Sequence, residues 1–352
     1  MLIMAYTTIN KSTDYFNTKL YTGNGSTNTA QTGVGFQPDW TWIKERSSTS
    51  SHIITDAVRG ANKSLSSNLS SAESTETQSL ISFDADGFTV GSGGGVNENS
   101  QTYASWNWLA NGAGSSNTDG TLTSTVSANT TSGFSIVKYT SDGTGTTIGH
   151  GLGKVPDAIL LKNLTGPENW VGNFSAIHPA SGNGNNMYLN LTNADQADIQ
   201  TVTARDATTF TCANFGDPAN DTGTSNYIAY CFNNVQGFSK MGSYIGNGNA
   251  NGSFIYTGFK PAFIITRNVT SAVNWGMFDN KRNEYNVVQN VLLPDNSASE
   301  TTGTEKYFDF LSNGFKVKND SLQYNGNNEK HIFMAFAEAP LVGSNNVPAN
   351  AR

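Results

Sequence analysis

The sequence predicts an all-β protein built from three tandem antiparallel β-sandwich units of the jelly-roll or lectin-like type. Three related motifs reveal the repeat, because each begins with a tyrosine 17 residues before a proline (38−21, 156−139, 261−244). The prolines are 118 and 105 residues apart (156−38, 261−156), which matches a whole small domain and exceeds a solenoid repeat. The motifs are Tyr21-Thr-Gly-Asn-Gly, Tyr139-Thr-Ser-Asp-Gly and Tyr244-Ile-Gly-Asn-Gly, followed by Pro38, Pro156 and Pro261.

The composition also favours strands. The chain has 352 residues, of which 36% are hydrophobic, enough to bury a core in each of three units of about 100 residues. Only 13% are charged, so Ser, Thr, Asn and Gly supply the polar surface and the turns. Good helix formers never gather into a long stripe with a period of 3.6 residues.

An apolar strand follows each proline and carries a cation six residues on. Continuous apolar runs such as Ile159-Leu160-Leu161 suit a strand that is buried on both faces. We expect the three cations to occupy one equivalent strand position, with their head groups reaching solvent or a carboxylate. These cations are Lys44, Lys162 and Arg267.

Two more strands recur later in each copy. The first contains a Phe at an expected core position, and the second is an aromatic strand that closes the unit. The three Phe residues should be equivalent if the repeat is aligned correctly. They are Phe88, Phe210 and Phe315, and the closing strands are 103–108, 227–232 and 331–336.

A polar stretch separates the first two copies. Residues 111–132 contain only Leu122 and Val126 as large apolar residues, which predicts a linker or a long loop. The first unit should therefore sit more freely than the other two, which follow each other without a spacer. The predicted boundaries are 1–14 for a polar lead-in, 15–110, 133–236 and 237–340 for the units, and 341–352 for a polar tail.

Charge and terminal sequence exclude several classes of protein. The net charge is −7 and the pI near 5.1, with no cluster of Lys and Arg, which argues against a nucleic-acid partner. No run approaches the length that spans a bilayer, so membrane insertion is not expected. The first residues lack a basic n-region, and we expect no cleaved signal peptide.

Both cysteines, Cys212 and Cys231, fall in the second copy. A disulfide between two strands is possible, but two buried free thiols are favoured. The corresponding residues of the other copies are not cysteine. The pair therefore cannot be a staple common to the three units.

No catalytic constellation emerges, and no cofactor or metal is expected. Asp84 and Asp86 are the obvious acidic pair for glycan cleavage, yet the matching pairs are Asp206 with Thr208 and Leu311 with Asn313. This variation is typical of a turn former. The segment from Asn193 to Asp198 could ligate calcium with other loops, although a solvated loop is favoured.

One polar pattern recurs in two copies. An Asp stands 18 residues beyond the proline (56−38, 279−261) with an Arg three residues later, which indicates a turn closed by a charge-assisted hydrogen bond. A ligand-binding pair is the alternative. The second copy has Phe174 and Ile177 there, so we expect packing to close its turn. The pairs are Asp56 with Arg59 and Asp279 with Arg282.

Aromatic residues near polar loops are the best candidates for carbohydrate binding, because a sugar stacks its apolar face on a ring while amides bond its hydroxyls. Burial of these tryptophans in the core is the competing interpretation. The candidates are Trp106, Trp108, Asn169 with Trp170, and Asn274 with Trp275.

Several of these segments resemble a repeat module of virion proteins from marine and cyanobacterial phages. The similarity extends over most of the chain and implies a virion structural component, such as a tail fibre or another host-attachment protein. It implies no catalytic motif. The segments are Gly35 to Arg46, Asp56 to Gly60, Asp86 to Phe88, Tyr103 to Trp108, Gly133 to Val137, His150 to Gly153, and Phe336 to Gly343.

We therefore expect a non-enzymatic tail-fibre or receptor-binding component, assembled into the virion in the host cytoplasm. Its partners would be other virion proteins and host surface glycans, and a homotrimer is the favoured oligomer. An adaptor or capsid decoration protein that contacts only virion proteins is the alternative. A polysaccharide depolymerase is a third and weaker one.

Overall fold

The predicted all-β sandwich fold class is confirmed. The computed structural model describes residues 6–181, 186–195, 201–213, 224–302, 305, 307–342 and 348–350. Within these ranges the strands form seven sheets, and neighbouring strands are antiparallel, as in an all-β sandwich fold. No helix in the described residues is long and apolar enough to cross a membrane.

Residues 16–108, here called the first segment, supply a larger and a smaller sheet. Its elements are β1 (Phe16–Thr22), β2 (Thr29–Thr32), β3 (Trp40–Glu45), β4 (Ile53–Asp56), β5 (Lys63–Ser64), β6 (Ser74–Thr75), β7 (Leu80–Asp84), β8 (Gly87–Val90), α1 (Gly94–Asn97) and β9 (Thr102–Trp108), after a 3-10 turn at Ser12–Asp14. The sheets have the orders β1-β9-β3-β4 and β2-β8-β7, with a separate β5-β6 ribbon.

Residues 115–232, the second segment, repeat this plan with extra strands. Its elements are β10 (Ser115–Asn117), β11 (Ser124–Asn129), β12 (Phe134–Thr140), β13 (Thr146–Gly149), β14 (Ala158–Asn163), β15 (Val171–Phe174), β16 (Met187–Tyr188), β17 (Val202–Arg205), β18 (Thr209–Cys212) and β19 (Asn226–Phe232). The sheets have the orders β10-β11-β12-β19-β14-β15-β16 and β13-β18-β17.

Residues 239–340, the third segment, follow the order of the first. Its elements are β20 (Ser239–Ile245), β21 (Phe254–Tyr256), β22 (Phe259–Asn268), β23 (Gly276–Asp279), β24 (Phe308–Leu311), β25 (Gly314–Val317), α2 (Leu322–Asn325) and β26 (Lys330–Pro340). The sheets have the orders β20-β26-β22-β23 and β21-β25-β24.

The smaller sheets share one core position. Each has as its middle strand the one that carries the predicted core phenylalanine, and each of these rings is fully buried. The larger sheets likewise place the closing aromatic strand beside the strand that follows the proline. These correspondences support three copies of one module. The division of the chain into three domains stays a prediction. The rings are Phe88 in β8, Phe210 in β18 and Phe315 in β25.

The prediction of a linker at 111–132 is wrong. Strands β10 and β11 fall inside it and extend the larger sheet of the second segment through β12. Val126 is buried in the core of that segment, and Leu122 bridges to Ile148. Alternation of Val126 with small polar residues suits a strand with one buried face, a pattern that a Ser/Thr-rich composition conceals.

The expectation that the first segment sits freely is also wrong, because one apolar core crosses all three segments. The ring of Trp40 stacks on Tyr230 with centroids 4.5 Å apart, and the ring of Phe16 stacks on Phe336 at 5.2 Å. Phe232 and Phe336 join the remaining two segments at 5.8 Å. Burial of these faces holds the segments together.

Described residues of the predicted lead-in and tail contact the third segment, where the Leu341 N–H donates to the Gly258 carbonyl at 3.3 Å. The Tyr6 hydroxyl donates to the Gly258 carbonyl at 2.7 Å, and Ile9 is buried in the shared core. The predicted lead-in is therefore a packed element in its described part. Within the predicted tail, residues 341, 342 and 348–350 are described, and an antiparallel bridge joins Val342 to Pro348.

Candidate functional site

The two Asp and Arg pairs form buried turns. Asp56 accepts hydrogen bonds from the side chain and the backbone N–H of Arg59 at 2.5 and 2.9 Å, and Asp279 does the same with Arg282 at 2.5 and 2.8 Å. All four side chains are buried. Burial acts to lower the pKa of each arginine, but the adjacent carboxylate outweighs it and raises that pKa. This is the geometry of a charge-assisted turn.

Each of these carboxylates also joins two segments. The Tyr230 hydroxyl donates to Asp56 at 2.8 Å, and the Trp106 indole N–H donates to Asp279 at 3.0 Å. Because both carboxylates are buried and bonded on several sides, they offer no open face to a ligand. The geometry disfavours the alternative of a ligand-binding pair.

A histidine closes the corresponding turn in the second segment. Phe174 takes the place of the aspartate, and its backbone N–H donates to His178 Nδ1 at 2.9 Å. His178 Nε2 lies 3.0 Å from the Asp195 carboxylate. The prediction that packing alone closes this turn is wrong, because His178 accepts this hydrogen bond. The sequence comparison missed His178 because it stands one position later than the arginines (178−156 against 59−38).

A second set of contacts involves the residue 14 positions after each proline (52−38, 170−156, 275−261). A ring nitrogen of each lies 2.9 Å from a backbone carbonyl oxygen of another segment. The contacts run from the first segment to the third, from the second to the first, and from the third to the second, which closes a ring. The pairs are His52 with Leu293, Trp170 with Ser66, and Trp275 with Tyr188.

The prediction of sugar-stacking tryptophans is therefore wrong. Trp106 and Trp170 are fully buried, and Trp108 and Trp275 are 2% and 1% exposed. A buried indole has no free face for a sugar ring. The indole N–H groups of Trp106, Trp170 and Trp275 bond other segments. Trp108 packs against Phe263 and Phe336 of the third segment.

The neighbouring amides are also occupied within the protein. Asn169 accepts a hydrogen bond from Asn190 at 2.8 Å, and Asn274 donates one to Asp295 at 3.0 Å. The same Asn190 and Asp295 accept the backbone N–H of the adjacent tryptophan. Asn169 and Asn274 thus stabilise the loops from which Trp170 and Trp275 contact another segment.

The three cations lie inside the protein. Their side chains are fully buried, and each donates to the carbonyl oxygen of the following residue at 2.6, 2.9 and 3.2 Å. The prediction that their head groups reach solvent or a carboxylate is wrong. Burial lowers the pKa of both lysines to about 8 and that of the arginine to about 10. They are Lys44, Lys162 and Arg267.

Two of these cations also cross to another segment. Lys162 Nζ donates to the Ser70 carbonyl at 3.0 Å. The Arg267 guanidinium donates to the carbonyls of Leu191, at 2.6 Å, and Asn193. Backbone carbonyls thus satisfy these buried charges, as buried cations require.

The remaining acidic and thiol candidates have structural partners. Asp86 accepts the backbone N–H groups of Gly33 and Gly35 at 3.0 and 2.7 Å, the behaviour of a turn former. Cys212 and Cys231 are buried and are not joined by a disulfide. Among the described residues no group of three or more His, Cys, Asp or Glu could hold a metal ion. Residues 196–198 of the weighed calcium loop lie outside the described ranges.

Sequence reasoning missed two aromatic residues that lie on the surface. Phe254 and Tyr256 in β21 are 46% and 49% exposed, while Ile255 between them is buried. The Lys240 ammonium lies 5.6 Å from the centroid of the Tyr256 ring. The signal was an aromatic pair two residues apart, which places both rings on one face of a strand. Two exposed rings on an edge strand can stack against a ligand or a partner.

The fold and these contacts define an all-β protein whose internal sites join its sheets. The model of the family described as Domain of unknown function (DUF7483) matches residues 11–340, and the chain belongs to that family. This one model spans all three pairs of sheets. A comparison with curated proteins gives no match.

Proposed function

We propose that this chain is a non-enzymatic structural protein of a phage virion that takes part in attachment to the host. The resemblance of its repeated segments to phage virion modules supports the virion role. The observation that carries a structural role is the closed ring of contacts from His52, Trp170 and Trp275 to neighbouring segments. Contacts that link every segment to the other two make one rigid body rather than three independently mobile domains.

Attachment requires a surface that the contacts between segments leave exposed. Phe254 and Tyr256 supply the apolar rings with which an attachment protein could stack on host glycans. We propose a homotrimer, because several copies of a weak site turn low affinity into firm attachment. Assembly in the host cytoplasm agrees with Cys212 and Cys231 being reduced.

An adaptor or capsid decoration protein is the second candidate. The burial of Trp106, Trp108, Trp170 and Trp275 favours it, since it removes all four rings first considered for sugar binding. In this role the Phe254 and Tyr256 face would contact another virion protein.

One experiment separates the two roles. Fitting the chain into an electron cryomicroscopy map of the virion should place it in a tail fibre or at another host-facing site. Purified protein should also bind host cells without releasing reducing ends from host polysaccharide. A position enclosed by other virion proteins would favour the adaptor role, absence from the virion would refute both roles, and released reducing ends would indicate a depolymerase.

A further inference from the structure

A cavity of about 420 Å³ opens in the first segment, beside the β5-β6 ribbon and the glycine-rich loop that leads into α1. Five serines, one Glu and one Gln line it, together with apolar side chains that include Ile53, Leu65 and Val96. Lys, Arg, His and aromatic residues are absent from the lining. The volume falls within the range of small-molecule sites.

Equivalent bonds align α1 of the first segment with α2 of the third. The Tyr21 hydroxyl donates to the Val96 carbonyl at 2.8 Å, and the Tyr244 hydroxyl donates to the Tyr324 carbonyl at 2.7 Å. Asn97 and Asn325 likewise each accept a backbone N–H from the loop after that tyrosine, at 3.0 and 2.9 Å. Gly94-Gly95-Val96 therefore corresponds to Leu322-Gln323-Tyr324.

Larger side chains narrow the corresponding cavity of the third segment, which measures about 230 Å³ and is lined by Gln323 and Tyr324. The Tyr324 ring packs against Phe278 and Tyr307, with centroids 5.2 and 5.4 Å away. Gln323 donates to the Tyr324 hydroxyl at 2.6 Å. The first segment has two glycines and a valine instead, and the volume that these side chains would take is part of the cavity.

Packing does not explain both glycines of α1. A Cβ on Gly94 or Gly95 would make only ordinary contacts, with nearest atoms at 3.7 and 3.4 Å, and neither residue has a positive φ. By contrast, a Cβ on Gly91 or Gly93 would lie 2.6 Å from the main chain of Gln78. The cavity is therefore kept open by two glycines that the backbone does not need.

We propose that this cavity binds one residue of a neutral saccharide. Serine hydroxyls both donate and accept, which matches sugar hydroxyls. The Gln78 side-chain oxygen accepts from the backbone N–H and hydroxyl of Ser92 at 3.3 and 3.0 Å, which fixes an amide whose N–H groups can donate. Glu76, with no cation in the lining, disfavours an anion. Ile53 and Leu69, which line the cavity and retain exposed surface, can meet the C–H face of the sugar.

The inference rests on the cavity alone and can be tested without the virion. The full chain, labelled with ¹⁵N, is titrated with the methyl glycosides of glucose, galactose, mannose and N-acetylglucosamine, and with glucuronic acid as the anionic probe. We expect at least one neutral glycoside to shift the amides of 64–72 and 93–96 with a millimolar Kd. Glucuronic acid should bind at least tenfold more weakly.

Gly95→Leu should fill the cavity and reduce the affinity at least tenfold, whereas Gly166→Leu, at a glycine that also has room for a Cβ, should not. Leu69→Trp at the exposed rim is a second blocking variant that spares the core. The proposal would be overturned if no neutral glycoside bound, or if binding shifted only amides outside the cavity. It would also be overturned if both blocking variants bound the glycoside as tightly as the wild type. None of these results would bear on whether the chain is a virion protein.

Discussion

The Tyr230 hydroxyl donates a hydrogen bond of 2.8 Å to the Asp56 carboxylate, 174 residues away along the chain. The same carboxylate closes the turn with Arg59, so one buried anion serves both a local turn and a joint between segments. Trp106 and Asp279 repeat this joint from the first segment to the third. The second segment has Phe174 in place of the aspartate, and the third segment has Met334 at the strand position equivalent to Tyr230. Phe174 and Met334 are both apolar and belong to the shared core.

Removing the Tyr230 hydroxyl should weaken the joint. Tyr230→Phe leaves a buried carboxylate with one donor fewer, and we expect a loss of about 1–3 kcal/mol in the free energy of unfolding. Denaturant unfolding followed by fluorescence measures the change. Tyr285→Phe, at a ring that is 76% exposed, is the control and should have no measurable effect. Equal stability of both variants would mean that the bond contributes nothing.

The shared core predicts that the chain unfolds in one transition. Phe336 packs against Phe16, Trp108 and Phe232, with centroids 5.2, 5.4 and 5.8 Å away. Phe336→Ala should therefore lower the stability of the whole chain by about 3–5 kcal/mol.

Differential scanning calorimetry tests this, with a ratio of calorimetric to van't Hoff enthalpy near one for the wild type. Phe254→Ala, at a half-exposed ring, is the matched control and should leave the melting temperature nearly unchanged. Separate transitions, or early proteolysis within 111–132 that releases a folded first segment, would contradict a single core.

The sequence was informative about elements and weak about their assembly. Spacing from the prolines located equivalent strands, because local hydrophobic pattern and turn residues determine them. The tryptophans remained ambiguous, since burial depends on contacts with distant segments that no local pattern encodes. Similarly, the sequence alone could not show that Lys162 finds its carbonyl partner at Ser70, 92 residues earlier.

Buried histidine should make the protein sensitive to acid. Burial lowers the pKa of His52 to about 3, and Trp42 donates to its Nδ1 at 2.8 Å. The unfolded chain takes up a proton near pH 6.5 while the folded state does not, so stability is lost as the pH falls from about 6.5 towards 3. His331, whose pKa burial lowers to about 4, acts in the same direction.

Asp295 opposes this trend, because burial raises its pKa to about 6 and the folded state gains a proton first as the pH falls. We therefore use His52→Gln to isolate the histidine, since an amide can make both hydrogen bonds without titrating. Between about pH 6.5 and 4.5 the wild type should lose on the order of 2 kcal/mol more than this variant. Chemical unfolding at several pH values measures the difference, and parallel curves for the two proteins would refute it.

The exposed face of β21 should carry attachment if the proposed function is correct. Phe254 and Tyr256 stand at positions that hold Ala30 and Thr32 in β2, because Ile255 and Gln31 face equivalent core phenylalanines. The aromatic face is therefore a feature of the third segment rather than of the repeat.

Replacing both Phe254 and Tyr256 by alanine should leave the core intact and lower binding to host cells at least tenfold, as loss of stacking surface predicts. Cosedimentation of the labelled protein with host cells measures binding, with Tyr285→Ala as the control for loss of an exposed ring. Unchanged binding by the double variant would exclude this face from attachment, whereas equal loss in the control would indicate a non-specific effect.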